Sequence, residues 1–599
     1  MNVYDYIILG FYFAMMIAIG AIFKRFSKDI SDYFRGGGTM LWWMTGASAF
    51  MGGISVWSFT GAASKAHQAG TLIFVLYSAG SMGWLLMYFL TCHRFRRARV
   101  ITSVEAIQRR YGTPTEQFYV WFQVPRDILN ASISLMTLGV FISAVFGTPF
   151  VATLVVVGAI ILFVASVGGV WAVAAGDFVQ LLLMLLVVTV CAWLTLDLPE
   201  IGGLSGLIEK MPRAHFDWTL LLRPQVLLFW IIAIIVQTLL IYNDLAAGAS
   251  RFMAVRDERH AKRAALMGFC ISLVLPPLLF IPPFAAAILF PDLAARFPDL
   301  AVPSEAAFVA VAIKCMPHGL LGLLVSGIFA VAMANIDTGL NKNAGIFVRN
   351  FYQKVIHPSA SPRELLLAGR GFTAFFGCTI IALAAWIGTV RDLNLFDLVN
   401  LVGAMAGLPI IVPLCLGLFV KNTPSWAGWS TALVSFAAAA LAKWGVGTGL
   451  FTLFCGIPGS DLTVQERTDV VFATTVVLVA TIGSAWFLSV ARLARSAISE
   501  EQRERAGRFF RDLDTPIDAA REGIVYNDAR QYRVIAPLCL IYGAVVSLGA
   551  AIPNPPEGRI CFLFVGGVML AIGFVMRAAG RRAAVDAATA ANPAPGPVA

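Results

Sequence analysis

The stretch LWWMTGASAFMGGISVWSFTGAASKAHQ, residues 41–68, is apolar enough to cross a bilayer, yet Gly52 and Gly53 stand side by side near its middle and Ser55 and Ser58 follow. Two glycines cost a helix roughly 2 kcal/mol relative to alanine, so continuous helix is least favoured here. Polar backbone at mid-depth in a membrane is tolerated only where protein or a water-filled cavity surrounds it. Unwinding would free carbonyls that can ligate a small cation, and would create a half-helix N-terminus that attracts anionic groups. The competing reading is that the glycines let neighbouring helices pack closely. The sequence leaves both open.

Outward from this stretch the chain has the same apolar character. Its 599 residues are 59% hydrophobic and 13% charged, with mean hydropathy +0.79. Soluble proteins carry about 25% charged residues, so a soluble enzyme, a nucleic-acid binder and a secreted disulfide scaffold are excluded. Windows of about 20 apolar residues recur from residue 6 to residue 578. They predict an all-α polytopic membrane protein of about fifteen transmembrane helices.

The net charge of +10 comes from Lys and Arg in short loops. Alternate loops hold about 32 of the 44 basic residues, which predicts a multi-pass protein of the cell membrane with its N-terminus outside and its C-terminus cytoplasmic. Nine cysteines, scattered without paired metal-type spacing, indicate neither a disulfide framework nor a zinc site. The first apolar run, 6–23, follows Asp5 without a basic n-region and reads as a retained span, a signal peptide being the alternative. Residues 1–582 read as one transmembrane domain, with an amphipathic cytoplasmic segment at about 492–532 and a disordered Ala/Pro-rich tail at 583–599. No phosphate-binding loop marks a site for ATP.

Several polar side chains fall inside predicted spans. IFAVAMANIDTGLNKN (328–343) gathers Asn335, Asp337, Thr338, Asn341 and Lys342. Charged residues cost about 2.5–3.5 kcal/mol at mid-membrane, so this cluster faces a pathway or partner, or lies partly at the interface, where Lys342 can snorkel. Asp177, at the predicted start of its span, suits a helix cap or an ion exit route. Gln237, Thr238, Asn243 and Asp244 suit interhelical hydrogen bonding or pocket lining. Lys65 is expected to snorkel at the end of its span. Arg126 and Asp127 are about 100 degrees apart on a helix, too far for one narrow face, and Pro125 suggests a kink or a late helix start.

These motifs resemble the sodium:solute symporter family over roughly residues 1–490. The resemblance rests on an ordered set: DYFRGGGTMLWW (32–43), SVWSFTGAA (55–63), TSVEAIQRRYG (102–112), VGGVWAVAAGDFVQ (167–180), SRFMAVRDERHAKRA (250–264), GLLGLLVSGIFAVAMANIDTGLN (319–341) and PLCLGLFVKN (413–422). It implies a leucine-transporter-type fold, with inverted five-helix repeats at about 42–197 and 224–420, one extra helix before them and four after. Each repeat opens with a helix broken at mid-membrane, and a bundle rocks against a scaffold around the site.

Carried over by motif, the resemblance places a sodium ion against the backbone carbonyls of Met51, Ile54 and Val331. The family's hydroxyl pair falls on Ala334 and Asn335. Alanine offers no ligand, whereas the Asn335 carboxamide has an oxygen suited to a hard cation. Three readings stay open: sodium bound through Asn335, proton coupling through Asp337 or another carboxylate, and no coupling; Asp177 and Asp337 are the candidates for the ion route. Ser78 stands where family sugar carriers have an acidic residue, and Ser55, Trp57, Ser58, Gln237 and Thr238 are the remaining pocket candidates. The expected activity is sodium-driven symport of a small organic solute (sugar or polyol, amino acid or carboxylate), with sodium the only ligand besides solute and lipid. A proton-coupled or uncoupled carrier and a non-transporting solute sensor are the alternatives. A membrane enzyme is disfavoured, because no nucleophile-base constellation is visible. A monomer is sufficient for such transport.

Overall fold

The computed structural model describes residues 2–23, 38–100, 102–165, 170–245, 249–348, 352–353, 356–390, 394–518, 521–522 and 528–591. Among them the chain is helical, apart from one isolated bridge between Met40 and Val255. The elements are α1 (Val3–Phe23), α2 (Trp42–Gly53), a 3-10 turn (Val56–Phe59), α3 (Gly61–Ala69), α4 (Ile73–Leu90), α5 (Ser103–Tyr111), α6 (Thr113–Phe146), α7 (Phe150–Ala165) and α8 (Val170–Leu196). Next come α9 (Pro224–Tyr242), α10 (Glu258–Leu289), α11 (Ala307–Cys315), α12 (Leu320–Phe347), α13 (Pro362–Val390), α14 (Leu395–Val402), a π turn (Gly403–Gly407) and α15 (Leu408–Leu416). The chain closes with α16 (Ala427–Ala440), α17 (Val464–Leu493), α18 (Glu500–Asp514), α19 (Asp528–Leu548) and α20 (Pro556–Ala591).

Ten of these helical stretches are long and apolar enough to cross a membrane, or eleven if the bent pair Ala427–Val446 and Gly449–Cys455 forms one span. The predicted windows also fall on α1, α7 and α12, whose described apolar parts are Val3–Met15, Phe150–Leu162 and Leu320–Met333, and on the broken stretch 42–69.

The long helices are packed through close approaches. A β-carbon on Gly268 of α10 would lie 2.6 Å from the Trp84 ring of α4, so only glycine admits the tryptophan there. Four prolines, Pro276, Pro277, Pro282 and Pro283, lie inside α10. The Ser81 hydroxyl of α4 donates to the Ser272 carbonyl of α10 at 3.1 Å.

α1 is fixed by a buried carboxylate. Asp5 Oδ1 accepts from the backbone N–H groups of Gly319 and Gly322 at 2.8 and 2.9 Å. These donors begin α12 and have no partners within that helix, and a negative charge suits the positive end of its dipole.

α18 is amphipathic, burying Phe509, Phe510 and Leu513 while Arg503 faces out. The Arg99 guanidinium ties the following linker in place, donating to the carbonyls of Asp512, Thr515 and Pro516 at 2.8, 3.1 and 2.9 Å. Arg99 adopts a φ of 53°, a left-handed conformation unusual for a side-chain-bearing residue, and these bonds hold it there. Arg505 of α18 reaches the Tyr111 carbonyl and Ser425 Oγ at 3.2 and 2.8 Å.

Three expectations change. α20 is helical to Ala591, where a disordered tail was expected from residue 583, and 592–599 lie outside the described residues. α6 starts at Thr113, well before Pro125, which excludes a late start. Arg126 and Asp127 do pair, with Nη2 3.3 Å from Oδ1, because a long guanidinium can curl back across the angle that separates neighbouring Cβ atoms.

Asp5→Ala leaves two buried N–H groups without an acceptor and is expected to cost about 1–3 kcal/mol. Thermal unfolding in detergent should show a lower midpoint, with Asp5→Asn falling between the two.

Candidate solute and ion site

The site is built around the end of α2. The helix stops at Gly53; Ile54 is extended, with φ −85° and ψ 145°, and so is Ser55, with φ −136° and ψ 169°. Ser55 Oγ then accepts from Trp57 N–H at 3.1 Å and caps the 3-10 turn. A β-carbon on Gly52 or Gly53 would meet no heavy atom within 4 Å, and both glycines are exposed. Close helix packing through this pair is therefore excluded. The break adjoins open space, and the last carbonyls of α2 lie where the intrahelical ladder ends.

α12 packs against both α2 and the 3-10 turn, the two elements that flank the break. Met51, Ile54 and Val331 are buried. Val331 lies inside a continuous helix, so its carbonyl has one lone pair beyond its helical bond. The side chains of Ala334, Asn335, Asp337, Thr338, Asn341 and Lys342 lie outside the described residues.

On the α3 side the break is covered. Trp57 Nε1 donates to the Leu395 carbonyl at 3.0 Å, and its ring stacks on Phe396 with centroids 5.5 Å apart. The indole lies against Gly61, where a β-carbon would sit 2.5 Å from Nε1. Leu395 N–H donates to the buried Glu305 Oε1 at 2.7 Å. The first turn of α14 is thus held from two sides, and Trp57 does not face lipid. Ser58 is buried beneath this cover.

Gln237 and Thr238 are buried on α9, and Gln237 Nε2 donates to the Asn400 carbonyl at 3.2 Å, just before the π turn. Such turns recur at functional sites because they leave backbone groups without regular partners. α9 ends at Tyr242, and 246–248 lie outside the described residues. Asn243 serves interhelical bonding: its Oδ1 accepts from Thr91 Oγ1 of the α4 terminus at 2.7 Å. Ser78 is exposed, while its neighbour Tyr77 packs on Phe280 of α10 with ring centroids 5.0 Å apart.

Asp177 is buried seven residues into α8, so it does not cap that helix. It accepts from Ser48 Oγ of α2 at 2.5 Å, joining α8 to the half-helix that ends at the break. Lys65 does not snorkel. Its side chain is only 6% exposed, and the ammonium lies 5.4 Å from the Phe396 ring centroid and 5.9 Å from that of Trp230. Cation–π attraction and the neighbouring carboxylate Asp469 hold it inside. Asp469 and Asp397 are themselves bridged by Gln465 Nε2 at 3.3 Å.

Sequence reasoning missed Glu305, Phe396 and Asn400. Only Asn400 left a signal, as a lone amide in an apolar run.

A helix broken within a bundle of membrane-length apolar helices, with open space beside the break, is the architecture of a multi-pass membrane transporter. The model of the sodium:solute symporter family matches residues 33–431, and the chain belongs to that family. The sodium/sialic acid symporter SiaT of Proteus mirabilis (strain HI4320) is 23% identical over 470 residues, covering 76% of this chain and 92% of that protein. The sodium/glucose cotransporter 2 of Rattus norvegicus is 25% identical over 473 residues, covering 70% and 68% respectively. A solved substrate-bound, outward-open state of a Na+-coupled sialic acid symporter shares the fold, with a TM-score of 0.62 at 20% identity over 81% of this chain and 98% of that one.

Gly52→Ala and Gly53→Ala place a methyl group in open space and favour helix by about 1 kcal/mol each. Thermal midpoints should hold or rise, and hydrogen exchange at residues 51–58 should slow; a midpoint several degrees lower would contradict the open geometry.

Proposed function

We propose that the protein is a sodium-driven symporter that carries a small organic solute (a sugar or polyol, an amino acid or a carboxylate) inward by alternating access. The observation that carries this reading is the break after Gly53, with open space beside Gly52 and Gly53, α12 packed against the elements on either side of it, and Trp57 held to α14. Sodium is assigned to the carbonyls of Met51, Ile54 and Val331 with the Asn335 carboxamide. The solute is assigned to Ser55, Trp57, Ser58, Ser78, Gln237 and Thr238. Asp177 and Asp337 are assigned to the ion route.

Coupling follows if cation and solute stabilise the same conformation, since each then raises the affinity for the other. One elementary charge crossing 100 mV supplies about 2.3 kcal/mol, enough for a nearly fiftyfold gradient of a neutral solute at one-to-one stoichiometry. Fifteen crossings, with the N-terminus outside and the C-terminus inside, complete the reading, and a single chain supplies every group named. Ala334, at a position where the family presents a hydroxyl, favours a second reading in which the same fold runs on protons or without coupling.

The test is uptake into proteoliposomes of sugars, polyols, amino acids and carboxylates under an inward sodium gradient, an inward proton gradient, or neither. Sodium-stimulated accumulation of one class is expected; accumulation driven by protons alone, or mere equilibration, would replace sodium coupling with the second reading. Asn335→Ala should reduce sodium stimulation at least tenfold while leaving the thermal midpoint within a few degrees. Unchanged stimulation would remove Asn335 from the ion site.

A further inference from the structure

The helical hairpin α19–α20 lies beyond the region matched by the family model, yet it reaches the half-helix that ends at the break. Gln531 spends both ends of its carboxamide on the backbone just before α2: Oε1 accepts from Leu41 N–H at 3.0 Å, and Nε2 donates to the Thr39 carbonyl at 2.8 Å. Tyr532 packs its ring 5.6 Å from that of Trp43. Asp528 pairs with Arg256 Nη1 at 2.5 Å, and Arg256 N–H donates to the Met40 carbonyl at 2.9 Å.

The other end of the hairpin repeats the device. Asn554 Oδ1 accepts from His318 N–H at 3.0 Å, and Nδ2 donates to the His318 carbonyl at 2.9 Å, immediately before α12. Between the two holds, α19 and α20 pack on α8, and Tyr542 meets Phe11 of α1 with centroids 5.6 Å apart. The hairpin is itself closely packed, since a β-carbon on Gly566 would lie 2.6 Å from the Gly543 carbonyl oxygen.

We propose that the hairpin is a brace between the starts of α2 and α12, and that Gln531 is the positioning residue that keeps the tip of α2 closed over the site. The proposal rests on the alternating-access reading above. α2 ends at a break in the helical ladder, so its other end is the lever by which the site opens toward the α18 face. Each carboxamide hold is two directional bonds to backbone, indifferent to the side chains it grips. Opening breaks the Gln531 pair and the Asp528–Arg256 contact, while the Asn554 hold keeps the hairpin on α12.

The test compares the full-length wild type with Gln531→Met, which preserves size and loses both bonds, and Gln531→Glu, which keeps the acceptor alone. Hydrogen exchange at residues 39–53 should accelerate about fivefold to a hundredfold in Gln531→Met and less in Gln531→Glu, the scale set by two neutral hydrogen bonds. The apparent KM for solute added on the face opposite α18 should rise in the same order, because fewer molecules are open to that face. Thermal midpoints should stay within a few degrees. Unchanged exchange at 39–53, or acceleration spread over every helix, would overturn the brace. If Gln531→Met fails to fold, Gln531→Glu decides by the same measurements. If the wild type moves no solute, the transport reading falls, whereas exchange still decides the brace.

Discussion

Everything in this protein is arranged around a stretch of backbone that cannot satisfy itself. A helix that stops inside a membrane leaves its last carbonyls and the next N–H groups without partners, at a cost of several kcal/mol for each group in hydrocarbon. Here the stop falls at Gly53, and the structure answers it piecemeal. Ser55 caps the next turn, α12 lies alongside, and Trp57 closes the far side. What stays open is the space beside Gly52 and Gly53, where water, cation or solute can approach bare backbone.

Around that opening the charged groups have two duties. Asp5, Asp177 and Glu305 join one helix to another through backbone N–H or hydroxyl groups. Lys65, Asp397 and Asp469 sit close together near the roof, where the ammonium leans on aromatic faces and the carboxylates share Gln465. Buried charges are expensive unless met by partners, and each of these is met by groups from other helices. The roof is therefore a joint among several helices, suited to being remade when the bundle shifts.

The fold was largely legible in sequence because a membrane imposes a coarse, strong filter. Apolar windows located the helices, the Gly52–Gly53 pair located the break, and the ordered motifs gave the family. Charge alternation foresaw α18. Polarity inside apolar runs singled out Ser55, Ser58 and Gln237, of which Ser55 caps the 3-10 turn, Ser58 is buried and Gln237 bonds the backbone before the π turn. Lys65 was misread because its burial depends on Trp230 and Phe396, which are distant in sequence and look like ordinary core residues. Asp177 was misplaced by a helix start drawn too late, and the Gln531 contacts were invisible because carboxamide-to-backbone bonds carry no sequence pattern.

The prolines of α10 have a mechanical corollary. In a regular helix the Ser272 carbonyl would accept from the N–H of residue 276, but Pro276 has none, and the Ser81 hydroxyl of α4, 3.1 Å from both this carbonyl and the Tyr77 carbonyl of its own helix, shares its hydrogen with it. A bond that elsewhere belongs to one helix is here shared by two. With Trp84 seated against Gly268 nearby, α4 and α10 cannot slide past each other without exposing a buried acceptor. They form a two-helix plate, stiff across its width, and any rocking of the bundle moves them as a single slab.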